Sequence, residues 1–542
     1  MIVKLLAIKS RWNLALLSGA LFVLAFPEIG SLFPLVFIAW IPLLAIEQRI
    51  IHEQQPARKL FSPTYIAFFI YNLGTTWWIW NADKGGAVLA IVANSLLMTV
   101  AFQIYHLVHK KLGNNWQLVT FVSTWLCFEY LHFHWELSWP WLTLGNVFAV
   151  SPSLVQWYSY TGVLGGSLWI LLVAVLLFRI TTNTSTNKKR LAVVFGTVLF
   201  VPLITSLTIY FTKQTSGTTY QTYHVCVIQP NIDPYTEKFS GSDSEQFNKI
   251  IALIRSHAQP NTQLIIAPET ALYPNYSLDE NELARFPYSS YQFDQPIQAL
   301  LNSFPKSGLL IGAATHAIYE TQKSNASKFD EQSGTYSESY NSSVLFSQHQ
   351  KTQIIHKSKL VLGVEKIPFG SIFPFLEKMA INLGGTSGSL GIEKAPKVFN
   401  HDNTIIAPLV CYESIYGGFN AAQGKQGASF IAVITNDGWW GDTPGYLQHF
   451  DFSRLRAIEN NRWVVRAANT GKSGIIDNKG AVIKTTDWWK ATGFSAQIEL
   501  LKTKTFYQQY GDYIGVIALT ITLLLLLIFF LLVLKGKKRS EK

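Results

Sequence analysis

Three residues that could carry out covalent chemistry together each stand just after an apolar, β-branched run of the sequence. The runs and the residues that follow them are 264–267 with Glu269, 353–355 with Lys357, and 404–410 with Cys411. A thiol is a weak nucleophile near its free pKa of about 8.5, so it needs a base or a cation beside it. Glu269 can take and return a proton, and Lys357 can stabilise a negative charge. The three would supply a base, an electrostatic stabiliser and a nucleophile.

Taken one at a time, these residues also have ordinary structural explanations. A cysteine after an apolar strand is usually a small buried side chain, which is our interpretation of Cys226 in the middle of a run. A lysine or glutamate at a strand end is usually solvated. The three cysteines form no CxxC pair, which excludes a disulfide framework and a zinc finger. The 12 histidines form no cluster with ligand spacing, so we expect neither a metal nor a cofactor.

The elements that must position these residues lie between positions 213 and 511. Eight short β-branched runs alternate there with polar and helical stretches: 225–228, 264–267, 309–313, 343–346, 353–355, 404–410, 430–434 and 463–465. Helical spacing of apolar residues from Phe247 to Ile254 and over 447–460 predicts two of the helices. The polar stretch 322–342 is expected to be a surface loop. This pattern predicts a layered α/β domain whose strand ends gather the site.

The rest of the chain is too apolar for a purely soluble protein. Of 542 residues, 49% are hydrophobic and 14% are charged, against roughly 25% charged in ordinary soluble domains. Eight uncharged runs approach the length that crosses a membrane: 12–27, 30–46, 61–81, 86–109, 112–128, 161–178, 191–212 and 513–534. The break Pro27-Glu28-Ile29-Gly30 predicts two short helices in a hairpin. We therefore expect a transmembrane domain over 1–212, a catalytic domain over 213–511 and a final span over 512–542.

The positive charge of the chain is distributed like that of a membrane protein. Lysines and arginines concentrate in alternate connections between the apolar runs, while the intervening short loops contain only Lys84. By the positive-inside rule both termini are cytoplasmic, and the domain over 213–511 is extracytoplasmic. The net charge of +11 is thus assigned to a membrane leaflet rather than to nucleic acid. The aromatic loop 129–160 falls on the outer side, where it would form either an interfacial belt or an entrance for lipid.

Four motifs lie at or just after the predicted strand ends. They are Ala267-Pro-Glu-Thr-Ala271, the lysine in His356-Lys-Ser-Lys-Leu360, Val410-Cys-Tyr-Glu413 and Thr435-Asn-Asp-Gly-Trp-Trp-Gly441. Further motifs follow in order along the chain: Phe26-Pro27, Trp141-Leu-Thr-Leu-Gly145, Gln229-Pro-Asn-Ile232, Gln448-His449, Arg454-Leu-Arg-Ala-Ile-Glu-Asn460 and Arg466-Ala-Ala-Asn-Thr-Gly471. The first set resembles the nitrilase, or carbon–nitrogen hydrolase, superfamily. Together with the eight apolar runs, both sets resemble its apolipoprotein N-acyltransferase family.

The resemblance implies a nitrilase-like αββα sandwich and a role for each candidate residue. Glu269 would be the general base, Lys357 the stabiliser of the tetrahedral oxyanion and Cys411 the nucleophile. Supporting roles would fall on two further acids, Glu365 and Glu413, and on Tyr412, the neighbour of the thiol. The family usually reads Leu-Val-Pro-Phe-Gly-Glu after its lysine, whereas here Leu360-Val-Leu-Gly-Val-Glu365 precedes Lys366-Ile-Pro-Phe-Gly370. This displacement leaves open which carboxylate takes the place of that family glutamate.

The resemblance also implies the reaction. Cys411 would attack an ester of a phospholipid, phosphatidylethanolamine being the expected donor, and a lysophospholipid would leave. The acyl chain would then pass from the thioester to the α-amino group of a diacylglyceryl-cysteine at the N-terminus of a bacterial lipoprotein. The protein would be a multi-pass, monomeric protein of the inner membrane with a periplasmic catalytic domain. It would need no cofactor and no nucleic acid.

Two other functions remain open on the sequence. A membrane-anchored nitrilase-type amidase would use the same three residues to hydrolyse a small amide, and it would need no entrance for lipid. A non-catalytic receptor or transporter with a degenerate nitrilase-like ectodomain would not need the three residues at all.

Overall fold

The computed structural model describes residues 8–182, 188–213, 221–238, 242–278, 291–367 and 389–540. The chain folds as two compact units. The first consists of residues 1–77, 87–212 and 510–542, and the second of residues 78–86 and 213–509.

Eight helices cover the eight apolar runs. They are Arg11–Ala25 (α1), Phe33–His52 (α2), Arg58–Thr76 (α3), Lys84–Leu112 (α4), Gln117–His134 (α5), Val163–Thr182 (α6), Lys188–Thr212 (α7) and a C-terminal helix, Tyr513–Ser540. In the described part of the chain, α2, α4, α6, α7 and the C-terminal helix are long and apolar enough to cross a membrane. A helix satisfies its own backbone hydrogen bonds, as hydrocarbon requires. The predicted apolar helical region is confirmed, while the count of eight spans stays a prediction.

The first two helices form the predicted hairpin. α1 ends at Ala25, the backbone at Glu28 has a φ of 61°, and α2 begins at Phe33. Across the hairpin, the hydroxyl of Ser18 donates to the carbonyl of Ala39 at 2.6 Å. The turn at positive φ separates α1, which has 15 residues and is short as predicted, from α2, which has 20 residues and is not. The ring of Phe22 packs edge-on against that of Trp40, with ring centroids 5.0 Å apart.

The aromatic segment 129–160 contributes to the interior of the first unit. Trp141 is only 1% exposed, and the buried Tyr158 donates its hydroxyl to the carbonyl of Gly145 at 2.9 Å. Trp139 stacks on Trp141 with ring centroids 5.8 Å apart. Because an interfacial belt needs rings that face outward, the belt interpretation is wrong for Trp141 and Tyr158. A lipid entrance in this segment stays a prediction.

A buried carboxylate joins two helices of the first unit. Glu47 on α2 places Oε1 at 3.0 Å from Nδ1 of His106 and at 2.9 Å from Nδ1 of His109, both on α4. All three side chains are buried. A buried polar group is costly unless it has hydrogen-bond partners, so these contacts tie α2 to α4.

Replacing Glu47 with alanine is therefore expected to lower the free energy of unfolding by about 2 kcal/mol, the loss of hydrogen bonds to a buried charged group. Thermal unfolding of the purified protein in detergent would measure the change. Glu53→Ala, at an exposed position after the same helix, is the matched control and should leave the unfolding temperature nearly unchanged. Equal unfolding temperatures for the two variants would contradict a stabilising role for Glu47.

The second unit contains two sheets. The strands are Gln221–Gln229 (β1), Leu264–Ile266 (β2), Leu272–Leu278 (β3), Gly308–Tyr319 (β4), Lys328–Asp330 (β5), Thr335–Ser347 (β6), Gln353–His356 (β7), Phe399–His401 (β8), Thr404–Val410 (β9), Phe430–Thr435 (β10), Val464–Ala468 (β11), Gly474–Ile476 (β12), Val482–Thr485 (β13) and Thr492–Leu500 (β14). The first sheet has the order β14-β1-β2-β4-β6-β5, with β3 beside β4 and β7 beside β6. The second has the order β13-β12-β11-β10-β9-β8.

The direction of the strands brings the candidate residues to one edge. β1, β2 and β4 are parallel, β6 is antiparallel to β4, and β7 is antiparallel to β6, so β7 runs in the same direction as β2. In the second sheet β9, β10 and β11 are parallel. The carboxyl ends of β2 and β7 therefore share an edge of the first sheet, and those of β9 and β10 share an edge of the second.

Helices cover the outer faces of both sheets. They are Asp243–His257 (α8) and Tyr291–Ser303 (α9) on the first sheet, and Gly417–Lys425 (α10) and Pro444–Asn460 (α11) on the second. Between the sheets, apolar residues of β1, β2, β4 and β6 pack against those of β9, β10, β11 and β12. α11 begins where the hydroxyl of Thr443 accepts from the N–H of Gly445, and it ends at Asn461 in the left-handed conformation. The four layers confirm the predicted αββα sandwich.

All eight predicted strands are present, and the surface loop expected at 322–342 is wrong at Lys328–Asp330, which form β5, and from Thr335 onward. Residues 335–342 form the start of β6, where 336–342 pair with Ala313–Tyr319 of β4 and 335–337 pair with Lys328–Asp330 of β5. The stretch is polar because its side chains bond to one another, as when Ser324 and Ser327 donate to the carboxylate of Glu338. Satisfied polar side chains can line a strand, which composition alone does not indicate.

Candidate active site

Glu269 is held in the interior by three donors. Its Oε1 accepts from Nδ2 of Asn341 at 2.7 Å and lies 3.3 Å from Nζ of Lys357, and its Oε2 accepts from the backbone N–H of Asn436 at 3.0 Å. Asn341 lies on β6, Lys357 directly follows β7, and Asn436 follows β10 of the other sheet. The carboxylate of Glu269 thus links an edge of the first sheet to the end of β10 in the second sheet.

Glu365 joins the same cluster. Its Oε1 lies 2.9 Å from Nζ of Lys357 and accepts from Nδ2 of Asn341 at 2.9 Å, while its Oε2 accepts from the N–H of Val361 at 2.8 Å. The lysine is therefore shared by two carboxylates, Glu269 and Glu365. The displaced Pro-Phe-Gly at 368–370 lies outside the described residues.

Charge in this cluster shifts the pKa of both partners. Burial disfavours ionisation of Glu269, but the ammonium of Lys357, the bond from Asn341 and the charge of Lys238 outweigh it, and the pKa of Glu269 lies below its ordinary value. Burial likewise disfavours the charged form of Lys357, but Glu365 and Glu269 outweigh it and raise the pKa of Lys357. Both groups are ionised at neutral pH, so Glu269 is able to accept a proton.

Cys411 stands at the junction between β9 and a short 3₁₀ turn, with its backbone in the left-handed region at a φ of 52°. A non-glycine residue held there is strained, and such residues concentrate at functional sites. The side chain is 8% exposed. Burial first, and the charge of Glu269 second, raise the pKa of the Cys411 thiol, while Lys357 acts in the opposite direction. The resting thiol is protonated, so attack requires a base that takes its proton.

Glu413 connects the cysteine strand to the lysine strand. Its Oε1 accepts from the backbone N–H groups of Ser358 at 2.6 Å and Lys359 at 3.3 Å, and its Oε2 accepts from the N–H of Val410 at 2.9 Å. Burial raises the pKa of Glu413 to about 7, against the lowering effect of these bonds. The carboxylate therefore sets the spacing of the segments on either side of Lys357 and Cys411. Tyr412, which lies between Cys411 and Glu413 in the sequence, is buried with its ring centroid 5.4 Å from that of Tyr416.

Glu413→Gln is expected to lower the rate of acyl-enzyme formation by about 10- to 100-fold, because one of the two carboxylate oxygens becomes an NH₂ group facing a backbone N–H. The rate of thioester formation on Cys411 measures the effect, with exposed Glu320→Gln as the matched control. If both variants reacted like the parent protein, the spacing role of Glu413 would be refuted.

Sequence reasoning gave no role to a buried network beneath the thiol. Nε2 of His449 lies 3.1 Å from the carbonyl oxygen of Cys411, and Nδ1 lies 2.9 Å from Oδ1 of Asp437. Arg466 donates to Oδ2 of Asp437 at 2.7 Å. Burial and the charge of Arg466 lower the pKa of His449, so the neutral ring can donate from Nε2 to the cysteine carbonyl. In the sequence, Gln448-His449 and Arg466 stand out only as parts of motifs shared with the family, with no role assigned to either.

The same network contains three residues whose suitability as metal ligands can be judged from their neighbours. Ligand atoms of Cys411, Asp437 and His449 all lie within 4.8 Å of one another, a spacing that could hold an ion. The guanidinium of Arg466, however, lies 2.7 Å from Asp437 and 2.8 Å from Nδ1 of His449. A fixed cation already occupies the electrostatic role of a metal there, so the donor set does not suit one.

Comparison with known proteins places these two units in known families. A family profile described as the apolipoprotein N-acyltransferase N-terminal domain matches residues 18–176, and one described as carbon-nitrogen hydrolase matches residues 224–507. The chain is 29% identical over 525 residues to a protein named apolipoprotein N-acyltransferase from Chlorobaculum tepidum, covering 94% of each chain. It is 29% identical over 422 residues to one of the same name from Rickettsia typhi, covering 76% of each.

Among solved structures, Saccharomyces cerevisiae Nit3, a member of branch 10 of the nitrilase superfamily, matches 53% of this chain and 93% of its own, at 14% identity and a TM-score of 0.36. The carbon–nitrogen hydrolase match covers more than half of the chain, including Glu269, Lys357 and Cys411. The chain therefore belongs to the carbon–nitrogen hydrolase family, and its N-terminal region matches the apolipoprotein N-acyltransferase N-terminal domain.

Proposed function

We propose that this protein is an acyltransferase that moves a fatty acyl chain from a phospholipid, through a thioester on Cys411, to the N-terminal α-amino group of a diacylglyceryl-cysteine in a lipoprotein. The observation that carries the proposal is the buried cluster in which Lys357 binds Glu269, near enough to Cys411 for both charges to act on the thiol. This cluster lies in a chain whose apolar helices match the N-terminal domain of apolipoprotein N-acyltransferases.

The first half-reaction forms the acyl-enzyme. As the sulfur of Cys411 attacks the ester carbonyl, the thiol proton passes to Glu269, and Lys357 stabilises the oxyanion. The tetrahedral intermediate collapses with rupture of the ester C–O bond. Glu269 returns its proton to the departing lysophospholipid oxygen, which leaves a thioester on Cys411.

The second half-reaction consumes the thioester. The neutral α-amino nitrogen attacks the thioester carbonyl and passes a proton to Glu269. The C–S bond breaks, an amide forms, and Glu269 returns the proton to the sulfur of Cys411. Glu365, Tyr412 and Glu413 support these steps by holding Lys357, the cysteine turn and the spacing of their segments.

A lipid donor fits the surface beside the cluster. Val364 and Ile392 are 40% and 49% exposed. They lie on two segments joined where the N–H of Leu390 donates to the carbonyl of Glu365 at 3.0 Å. Exposed apolar side chains beside a reactive centre favour contact with an acyl chain.

The remaining assignments follow from the same function. We infer a membrane domain over 1–212, a catalytic domain over 213–511 and a terminal span over 512–542. Alternate basic connections favour cytoplasmic termini in the inner membrane and a periplasmic catalytic domain. Phosphatidylethanolamine is the proposed donor, and the protein acts as a monomer.

Mass spectrometry of the purified full-length protein tests the proposal. After incubation with phosphatidylethanolamine carrying an isotope-labelled acyl chain, we expect a hydroxylamine-sensitive adduct on the peptide that contains Cys411. Addition of a diacylglyceryl-cysteine lipopeptide should discharge that adduct and add the labelled chain to the lipopeptide. Hydrolysis of a small amide with no lipid adduct would instead establish the amidase. An adduct that the lipopeptide cannot discharge would disprove the proposed acceptor.

A further inference from the structure

A second buried lysine lies against the candidate active site. Lys238 follows β1 and is 7% exposed, and its Nζ donates a hydrogen bond to the hydroxyl of Thr270. Thr270 directly follows Glu269, and its backbone has a φ of 47°. In the sequence, Lys238 stands in no predicted strand or motif, so nothing distinguishes it there from an ordinary surface lysine.

The surrounding backbone holds Lys238 in this position. Its own N–H and that of Glu237 donate to the carbonyl of Asp233, at 2.9 and 3.1 Å. Nε2 of Gln246, on α8, donates to the carbonyl of Glu237 at 2.8 Å. The turn 233–238 is therefore hydrogen-bonded to α8, and it holds the ammonium of Lys238 against Thr270.

The balance of charged groups in the candidate active site indicates a role for Lys238. Asp437, a carboxylate close to the thiol, is paired with Arg466. The other two carboxylates of the site, Glu269 and Glu365, share one cation, because Lys357 is the only one that contacts them among the described residues. With that lysine alone the cluster carries one excess negative charge, which opposes any further negative charge on sulfur or on a carbonyl oxygen. The charge of Lys238 acts on Glu269 and on Cys411, and it restores neutrality.

We infer that Lys238 is the second cation of the active site and offsets the negative charge that develops on Cys411 and on the acyl carbonyl oxygen during acyl-enzyme formation. This inference rests on the proposed function. Lys238 acts through space on the reacting sulfur and through Thr270 on the residue that follows the base. It transfers no proton in either half-reaction, so the proton and electron balance of the reaction is unchanged.

The pH dependence follows from the groups that face Lys238. Burial lowers the pKa of Lys238 to about 8, although the charges of Glu269 and Cys411 act to raise it. A lysine loses its charge as pH rises through its pKa, so its contribution is complete below about pH 8 and is lost above it. An arginine stays charged throughout this range. Arginine at this position should therefore preserve the effect at a pH where lysine loses it.

The test measures two reaction rates of Cys411 in the full-length protein at pH values from about 6 to 10. One is the rate of labelled acyl adduct formation from phosphatidylethanolamine. The other is the rate of alkylation by iodoacetamide, which needs no lipid and is assigned to Cys411 by peptide mass. The variants are Lys238→Met, Lys238→Arg and, as matched control, Lys249→Met, which removes a lysine whose Nζ only holds the carbonyl of Asn231 at 3.1 Å.

We expect Lys238→Met to slow adduct formation by about 10- to 100-fold near pH 7 and to move the alkylation profile of Cys411 to higher pH by about one unit. Lys238→Arg should restore most of the rate and extend it to higher pH. Lys249→Met should match the parent protein. If Lys238→Met lowers the unfolding temperature, Thr270→Val, which removes only the hydroxyl partner of the ammonium, should change both readouts in the same direction.

An alkylation profile of Lys238→Met that coincides with that of the parent protein would overturn the inference, as would failure of Lys238→Arg to restore the rate in a folded protein. Failure of the proposed function gives a different pattern. In that case the parent protein forms no lipid adduct, and the alkylation profiles alone decide the role of Lys238.

Discussion

Cys411→Ser is expected to abolish both acyl-enzyme formation and transfer to the lipopeptide, with a loss of at least about 10⁴-fold in rate. The hydroxyl is a far poorer nucleophile than sulfur, and an ester on serine would discharge to an amine much more slowly than a thioester. The left-handed backbone at this position accepts serine at a cost similar to that of cysteine, so folding should persist. Labelled-donor mass spectrometry and growth of cells that depend on the protein measure the two consequences.

The matched control is Cys226→Ala, which removes a buried cysteine from the middle of β1. That variant should lose about 1 kcal/mol of stability and keep its activity, because a buried structural thiol contributes packing alone. If Cys411→Ser supported growth as well as the parent protein, the chain would not be an enzyme of this mechanism. The receptor alternative would then explain the ectodomain.

Glu269→Gln is expected to lower the rate of adduct formation by about 10³- to 10⁴-fold. The amide oxygen can still accept from the N–H of Asn436, so the geometry is nearly preserved, but an amide cannot take the thiol proton. The raised pKa of Cys411 makes this loss severe, because little thiolate is present without a base. Adduct formation should slow, whereas iodoacetamide alkylation should not, because the lost charge of Glu269 no longer raises the pKa of the Cys411 thiol.

The pH profile of the parent protein gives an independent check on Glu269. Its pKa lies below the ordinary value of 4.5. A carboxylate with a lowered pKa stays ionised until pH falls through that low value, so the base should remain active throughout the neutral and mildly acidic range. Glu338→Gln, which alters a buried carboxylate bonded to Ser324, Ser327 and Tyr340, should keep most of the rate. Similar losses in both variants would mean that Glu269 acts by supporting the fold and not as the base.

The sequence by itself determined the parts of this protein that depend on local pattern. Apolar runs of about 20 residues predict helices in a membrane, and short β-branched runs predict strands, because neighbouring residues set both periodicities. All eight predicted strands and the break between α1 and α2 were therefore found. The candidate residues Glu269, Lys357 and Cys411 were predicted from their places at strand ends and from the motifs around them.

Only the tertiary structure decided which distant groups meet. Asn341 lies in a stretch whose polarity predicted a loop, yet it bonds both Glu269 and Glu365. Lys238 reaches Thr270, and Arg466 pairs with Asp437, whose carboxylate lies close to Cys411 and His449. These contacts depend on strand order and on the packing of two sheets, which join residues far apart in the chain. A local pattern contains no information on that pairing, so the charge balance of the site emerges only when the fold is complete.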